Sequence, residues 1–292
     1  MARPRVHVTG DVPAAIDAAI AESFDPVSAP SDADGILALI SSRIDDEYLE
    51  RAGPQLRIVA NYGVGVDNID LAAAARRGIV VTNTPDVLTE TTAELAIALT
   101  LSLLRRVTEG DRFLRAGRTW GFGLEFMLGE GLAGKRFAVV GPGRIGRATA
   151  RLAEAFGADP VLVGRGELDR ALPGADIVSI HCPLTPETRH LIDARALGLL
   201  RPSAVLVNTA RGAIVDERAV ARALRDGRLA GAALDVFEHE PKVTAELLSF
   251  ENVVLTPHLG SATRATREAM GRSAVGALRT LLLDGLQPQN TV

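Results

Sequence analysis

RFAVVGPGRIGRATARLAEAFGADPVLV, residues 136–163, reads as an apolar strand, a glycine-rich turn, a helix and a second apolar strand. Gly141, Gly143 and Gly146 stand in G-x-G-x-x-G spacing at the junction of strand and helix. In that spacing the first glycine permits a tight turn, the second lets a pyrophosphate approach the backbone, and the third lets helix and strand pack closely. The unpaired N–H groups of the helix start then face the phosphates. Alone, the spacing fits any glycine-rich turn. Strand before, helix and strand after make it a dinucleotide site, with Arg144 and Ile145 in the first helical turn.

Outward from this unit, short β-like runs alternate with helical ones. Upstream, RVHVT (5–9), GILALI (35–40), LRIVANY (56–62) and IVVTN (79–83) are predicted strands, with helices near 12–22, 45–52 and 70–77. Downstream, ADIVSIH (175–181), AVLVN (204–208), GAALD (231–235) and NVVLT (252–256) continue the series. Parallel strands need crossover helices, so each series predicts a doubly wound α/β sheet. Residues 89–117 read as a long helical stretch between the two series, and a last helix is expected from about Ser261 to Leu283.

Composition narrows the function classes. The chain has 292 residues, 47% of them hydrophobic, enough for two cores. Its 36 acids against 32 bases, without a basic run, exclude nucleic acid and an anionic membrane as expected partners. MARPRVHVTGD enters a strand pattern directly, and no apolar stretch approaches the roughly 20 residues of a bilayer span, so a cytoplasmic protein is expected. Cys182 is the single cysteine, which excludes an intramolecular disulfide and a cysteine metal site; no metal is expected.

Three polar residues follow strand ends in the second series: Arg211 in NTARG, Glu240 in DVFEHEP and His258 in TPHLG. Ligands bind at that edge of an open α/β sheet. A guanidinium can hold a carboxylate bidentately, an imidazole can exchange a proton near neutral pH, and a carboxylate can orient that imidazole. Together they suit reduction of a 2-oxo acid. Singly, Arg211 could cap a turn, Glu240 could be solvated and His258 structural. His7, His190 and His239 are read as structural or exposed.

NYGVGVDNID (61–70), NTPDVLTETTAEL (83–95), GPGRIG (141–146), HCPLTPETRHLI (181–192), NTARGAIVDE (208–217), GAALDVFEHEP (231–241) and TPHLGSAT (256–263) resemble, in order and over almost the whole chain, the signature segments of the D-isomer-specific 2-hydroxyacid dehydrogenases. The resemblance implies a Rossmann coenzyme domain, residues 91–267, inserted into a flavodoxin-like substrate domain of residues 1–90 and 268–292. It makes His258 the general acid, Glu240 its partner and Arg211 the carboxylate anchor, with the Val64 and Gly65 amides holding the carboxylate's other side. Cys182, Pro183, Thr188, Thr209, Ala210, Asp235 and Gly260 fall where relatives contact the coenzyme, Asp235 at the nicotinamide carboxamide. Trp120 falls where relatives contribute an aromatic residue to a neighbouring subunit's substrate pocket, although a lone Trp in a connecting loop is as often simple packing; relatives are commonly dimers through the coenzyme domain, so a homodimer is expected.

Within the family, Asp86 in NTPDVLT and the run PHLGSATRATREAM are similar to glyoxylate and hydroxypyruvate reductases and 2-ketogluconate reductases more than to phosphoglycerate dehydrogenases. The expected activity is NAD(P)H-dependent reduction of a small 2-oxo acid. The rivals are a dinucleotide-sensing scaffold like the family's corepressors, and phosphoglycerate dehydrogenase. Two details bear on the coenzyme. The strand PVLV ends in Gly164 and Arg165 rather than the acid that binds an NAD ribose, which favours NADP(H) while leaving NAD(H) possible. GELDRALPG (166–174) is also shorter than the strand and helix that relatives place there, so the adenosine side is expected to be trimmed.

Overall fold

A computed structural model of the chain describes residues 2–292. It divides into two compact units, one running to Leu88 and resuming at Ser261–Val292, the other Thr89–Gly260. The divisions thus fall at 88/89 and 260/261, against the expected 90/91 and 267/268.

The first unit contains β1 (Arg5–Val8), α1 (Ala14–Ser23), β2 (Asp25–Val27), β3 (Gly35–Leu39), α2 (Asp46–Ala52), β4 (Ile58–Tyr62), α3 (Leu71–Arg76) and β5 (Val80–Thr82). All strands pair in parallel, in the order β2-β1-β3-β4-β5. That is a doubly wound order whose first crossover reverses direction. Asp45 and Asp70 cap α2 and α3 by accepting the N–H groups of Tyr48 and Ala73. The edge strand β2, Asp25-Pro26-Val27, was absent from the sequence expectation, because three mostly exposed residues carry no periodic signal.

The chain returns to this unit through its last helix, Arg264–Leu282, packed against the sheet. A Cβ on Gly35 would come within 2.9 Å of the Leu278 and Leu282 side chains, so the bare glycine is what lets helix and strand approach. Beyond the helix, Val292 N–H donates to the Val81 carbonyl at 3.0 Å and Thr291 bridges Thr82 antiparallel, covering the β5 edge.

The second unit opens with α4 (Thr89–Leu104) and α5 (Val107–Arg115). The long helical stretch read over 89–117 is thus made of two helices. Arg106 sits in the left-handed region at φ 54°, which no continuous helix tolerates. There follow β6 (Arg136–Val140), α6 (Arg144–Ala155), β7 (Asp159–Val163), α7 (Leu168–Ala171), β8 (Ile177–Ile180), α8 (Ala194–Gly198), β9 (Val205–Asn208), α9 (Glu217–Arg225), β10 (Gly231–Leu234) and β11 (Val253–Leu255). The last helix of the chain is thus α10. The sheet is parallel throughout, in the order β11-β10-β9-β8-β6-β7.

β7 and β8 flank β6 on opposite sides, so the strand order reverses at β6/β8 and opens a crevice at their carboxyl ends. Only α7 and a turn at Leu172–Gly174 separate β7 from β8, which leaves β7 at the sheet edge. Pro160 lies in that edge strand, where a missing N–H is tolerated. Among the described residues no helix is long and apolar enough to cross a membrane.

Candidate active site

The glycine loop after β6 is shaped by three different contacts. Gly141 adopts φ +100°, and a Cβ there would meet the Cys182 backbone nitrogen at 2.4 Å. A Cβ on Gly146 would meet the Gly141 carbonyl oxygen at 2.2 Å, which holds α6 close to β6. Gly143 instead faces open space, with nothing within 4 Å of its Cβ position, and caps α6 without a side-chain hydrogen bond. This is a cradle with room for a pyrophosphate at a twelve-residue helix's N-terminus, so the residues present fit a dinucleotide. Arg144 and Ile145 occupy the first turn as expected from sequence.

The loop after β8 forms the opposite wall of this crevice. Burial lowers the pKa of His181 to about 4, and its Nε2 lies 2.8 Å from the Ser179 hydroxyl. Burial pushes the Cys182 thiol up to about 11, which leaves it without nucleophilic character at neutral pH. The Thr188 hydroxyl donates to the Pro183 carbonyl at 2.7 Å and accepts the Thr185 N–H at 2.7 Å, so it builds the turn. Its neighbour Glu187 is held below the usual carboxylate range, first by the Thr185 hydroxyl and also by the charge of Arg165. The charge of Arg165, just after β7, thus reaches as far as Glu187 in the loop after β8.

After β9, the fully buried Asn208 fastens the next loop at two points. Its amide donates to the Arg211 carbonyl at 2.8 Å and its oxygen accepts the Ala210 N–H at 3.0 Å. Between them, the Thr209 hydroxyl is buried without a hydrogen-bond partner, a donor-acceptor that a bound polar ligand would satisfy. Gly212 packs so tightly that a Cβ would lie 1.8 Å from the Phe237 carbonyl carbon. That contact brings the Arg211 loop onto the loop carrying Glu240.

His258 is placed by Asp235 at the end of β10. The Asp235 carboxylate accepts the Thr256 hydroxyl at 2.6 Å, the Leu259 N–H at 2.7 Å and the Gly260 N–H at 2.9 Å, and its carbonyl accepts the His258 N–H at 2.7 Å. Burial pushes this carboxyl up in spite of those bonds and the charge of His258. The Gly260 carbonyl accepts the Thr92 hydroxyl from α4. His258 takes φ 56° in the loop so formed, and its Nδ1 lies 2.9 Å from Glu240 Oε2. The second Glu240 oxygen accepts the Phe237 N–H at 3.0 Å. Burial opposes ionisation of Glu240, but His258, the Phe237 N–H and the Arg211 charge outweigh it and hold the carboxyl below its ordinary value.

The Glu240 loop has a support that sequence reasoning missed. Glu217, buried at the start of α9, accepts the Glu238 N–H at 2.6 Å and the Thr244 hydroxyl, bracketing the loop from both sides. The Glu238 side chain in turn accepts from Arg189 at 2.8 Å and bonds His190 Nε2 at 2.8 Å. Glu217 is the final residue of NTARGAIVDE; its position in that motif is the one signal the sequence offered.

In the first unit, the loop after β4 is fastened by asparagines. Asn61 donates to the Gly63 and Gly65 carbonyls at 3.3 and 2.7 Å, and Asn83 donates to the Val64 carbonyl at 2.8 Å. A peptide group is planar, so holding the Gly63 and Val64 carbonyls fixes the directions of the Val64 and Gly65 N–H groups. Among the described residues, no group of three or more His, Cys, Asp or Glu is placed to hold a metal ion.

Residues 97–260 match the family model described as the D-isomer specific 2-hydroxyacid dehydrogenase, NAD binding domain. A glyoxylate reductase of Thermococcus litoralis is 45% identical over 81% of this chain and 77% of its own. A glyoxylate reductase of Aeropyrum pernix is 44% identical over an alignment of 325 positions that spans all of this 292-residue chain and 96% of the relative. That relative therefore carries internal sequence absent here. The crystal structure of an NADPH-dependent glyoxylate/hydroxypyruvate reductase from Sinorhizobium meliloti, in complex with NADP and malonate, superimposes with a TM-score of 0.91 at 37% identity over 100% of this chain and 97% of that one. With these similarities, the motif order and the two parallel sheets in agreement, the chain belongs to the D-isomer-specific 2-hydroxyacid dehydrogenase family and is an NAD(P)-dependent oxidoreductase.

Proposed function

We propose that the protein reduces a small 2-oxo acid of the glyoxylate or hydroxypyruvate type to the D-2-hydroxy acid, using NADPH in preference to NADH. With glyoxylate the product, glycolate, is achiral. The observation that carries the reading is the His258–Glu240 pair at 2.9 Å, with the Arg211 charge beside it, at the carboxyl edge of a sheet that also presents the glycine loop.

Each side chain then has one task. Arg211 offers a planar fork to the substrate carboxylate, and the Val64 and Gly65 amides are the proposed further donors to it. Glu240 occupies His258 Nδ1, so Nε2 is the nitrogen that gives a proton to the carbonyl oxygen. Because Glu240 is held below its ordinary carboxyl range, it stays ionised at neutral pH and keeps accepting from the imidazole before and after the proton leaves. Gly141, Gly143, Arg144, Ile145, Gly146, Gly164, Arg165, Cys182, Pro183, Thr188, Thr209, Ala210, Asp235 and Gly260 are the proposed coenzyme contacts. When bound, the reduced nicotinamide supplies the hydride for C2.

The NADPH preference rests on Gly164 and Arg165 at the end of β7, where a small residue leaves room and a guanidinium adds charge for a 2′-phosphate. A homodimer is part of the same proposal. Between α5 and β6 the chain exposes Trp120, Phe122 and Leu124 at 54, 92 and 91%, an apolar run of the kind that marks an interface. A cytoplasmic setting is proposed on the composition.

The test is a panel of 2-oxo acids assayed with both reduced coenzymes. Turnover of glyoxylate or hydroxypyruvate with higher kcat/KM for NADPH is expected; no turnover of any 2-oxo acid would overturn the reading. Gly164→Asp/Arg165→Ser should move the coenzyme ratio toward NADH by about one or two factors of ten.

A further inference from the structure

The shortened connection between β7 and β8 has left a carboxylate at the tip of β7. Gly164 directly follows the strand, and its N–H donates to Glu167 Oε2 at 2.8 Å. A Cβ built on Gly164 would lie 3.0 Å from that same oxygen. The carboxylate therefore fills the space where the side chain of an acid at position 164 would begin. Its second oxygen accepts from Arg170 at 2.8 Å, one helical turn further on, so both oxygens are held. The arrangement needs the chain to turn directly from β7 into α7 and leave β7 as an edge strand.

We infer that Glu167 is a coenzyme-discriminating residue, a carboxylate delivered from three positions downstream that competes with a 2′-phosphate for the Gly164 amide. The inference rests on the nicotinamide-coenzyme reading above and deepens it. A ribose diol at the end of β7 can donate hydrogen bonds to Glu167, whereas a phosphate with charge near −2 is repelled by it and accepts from the same N–H. Arg165 acts in the opposite sense, and part of its field falls on Glu187 in the loop after β8. Coenzyme preference is then a balance between Arg165 and the Glu167 carboxylate, whose charge Arg170 offsets only in part because that pair is exposed, and Glu167 limits the NADPH preference that Arg165 creates.

The test measures dissociation constants of NADPH and NADH by fluorescence titration, without substrate, for the wild type, Glu167→Gln and Glu167→Ala. Glutamine keeps an acceptor for the Gly164 N–H and removes only the charge. Both variants should move the NADPH-over-NADH affinity ratio toward NADPH by about three- to tenfold, less at high salt, because the side chain is partly solvated. Arg165→Gln should move the ratio the other way. A ratio within twofold of wild type in both Glu167 variants, or a shift toward NADH, overturns the inference. If neither coenzyme bound the wild type, the functional reading would fall as well, whereas unchanged ratios beside normal 2-oxo acid turnover would sink this inference alone.

Discussion

Nδ1 of His258 lies 2.9 Å from Oε2 of Glu240, and the other oxygen of that carboxylate is taken by the Phe237 N–H. The imidazole is therefore held at one nitrogen by an anion that is itself fixed to backbone, which leaves Nε2 for proton exchange. His258→Ala should lower kcat by about 10²–10⁴, the scale of losing a general acid, with coenzyme affinity nearly unchanged. Steady-state kinetics with a coenzyme titration check this, and an undiminished kcat would remove His258 from the reaction.

Glu240→Gln keeps the shape and deletes the charge facing His258. The coupling to His258 that helps hold Glu240 low is lost with that charge, so the pH limb of kcat/KM for reduction should move to lower pH. Profiles recorded for both proteins decide the matter; an unmoved limb would mean the pair is structural only.

For Arg211→Lys the positive charge stays but the planar fork is lost. KM for the 2-oxo acid should rise about tenfold or more and kcat should fall with it, while the coenzyme dissociation constant stays near wild type. Unchanged substrate kinetics would place the carboxylate anchor elsewhere.

Glu217→Ala removes a buried acceptor from the Glu238 N–H and the Thr244 hydroxyl, each costing about 1–3 kcal/mol if left unpaired. Since the loop between them carries Glu240, kcat should fall about tenfold and the pH limb should move as in Glu240→Gln, beyond any loss of thermal stability. Glu217→Gln, which keeps the acceptor for Glu238, should restore most of both. A stability loss with an unshifted pH profile would restrict Glu217 to packing.

His181 makes the protein acid-sensitive. Burial holds its folded pKa at about 4 against an ordinary 6.5, so between those values the unfolded chain binds the extra proton and stability falls as pH falls. The loss should reach about 1–3 kcal/mol near pH 4 and vanish above pH 6.5. Urea unfolding of coenzyme-free protein at pH 7.5 and pH 5 should show it, and His181→Gln should flatten it. Equal pH dependence in the two proteins would contradict the assignment.

Much of the site was legible because its residues recur in local patterns. Gly141, Gly143 and Gly146 announce a strand-to-helix turn through spacing alone, and Arg211, Glu240 and His258 each follow a strand whose apolar run is plain. Hydrophobic alternation and turn chemistry act over a few residues, so both series of strands and the shortened segment after β7 could be read without coordinates. By itself the sequence therefore determined the two α/β series and the dinucleotide loop, and it put Arg211, Glu240 and His258 at strand ends as the candidates for the proposed chemistry.

Tertiary structure decided what depends on residues distant in the chain or on single torsions. Glu217 reaches Glu238 across 21 positions and Thr244 across 27, a pairing no periodicity encodes. Arg106 breaks the long helix through one left-handed torsion, although the helical pattern continues on both sides. Asp235 reads in sequence as a coenzyme contact, and only the fold shows that its carboxylate also organises the loop that presents His258. Glu167 looks like a solvated acid in GELDR until the turn folds it onto the Gly164 amide. Local preference sets which elements form, but a carboxylate's role depends on which N–H groups the packed fold brings to it.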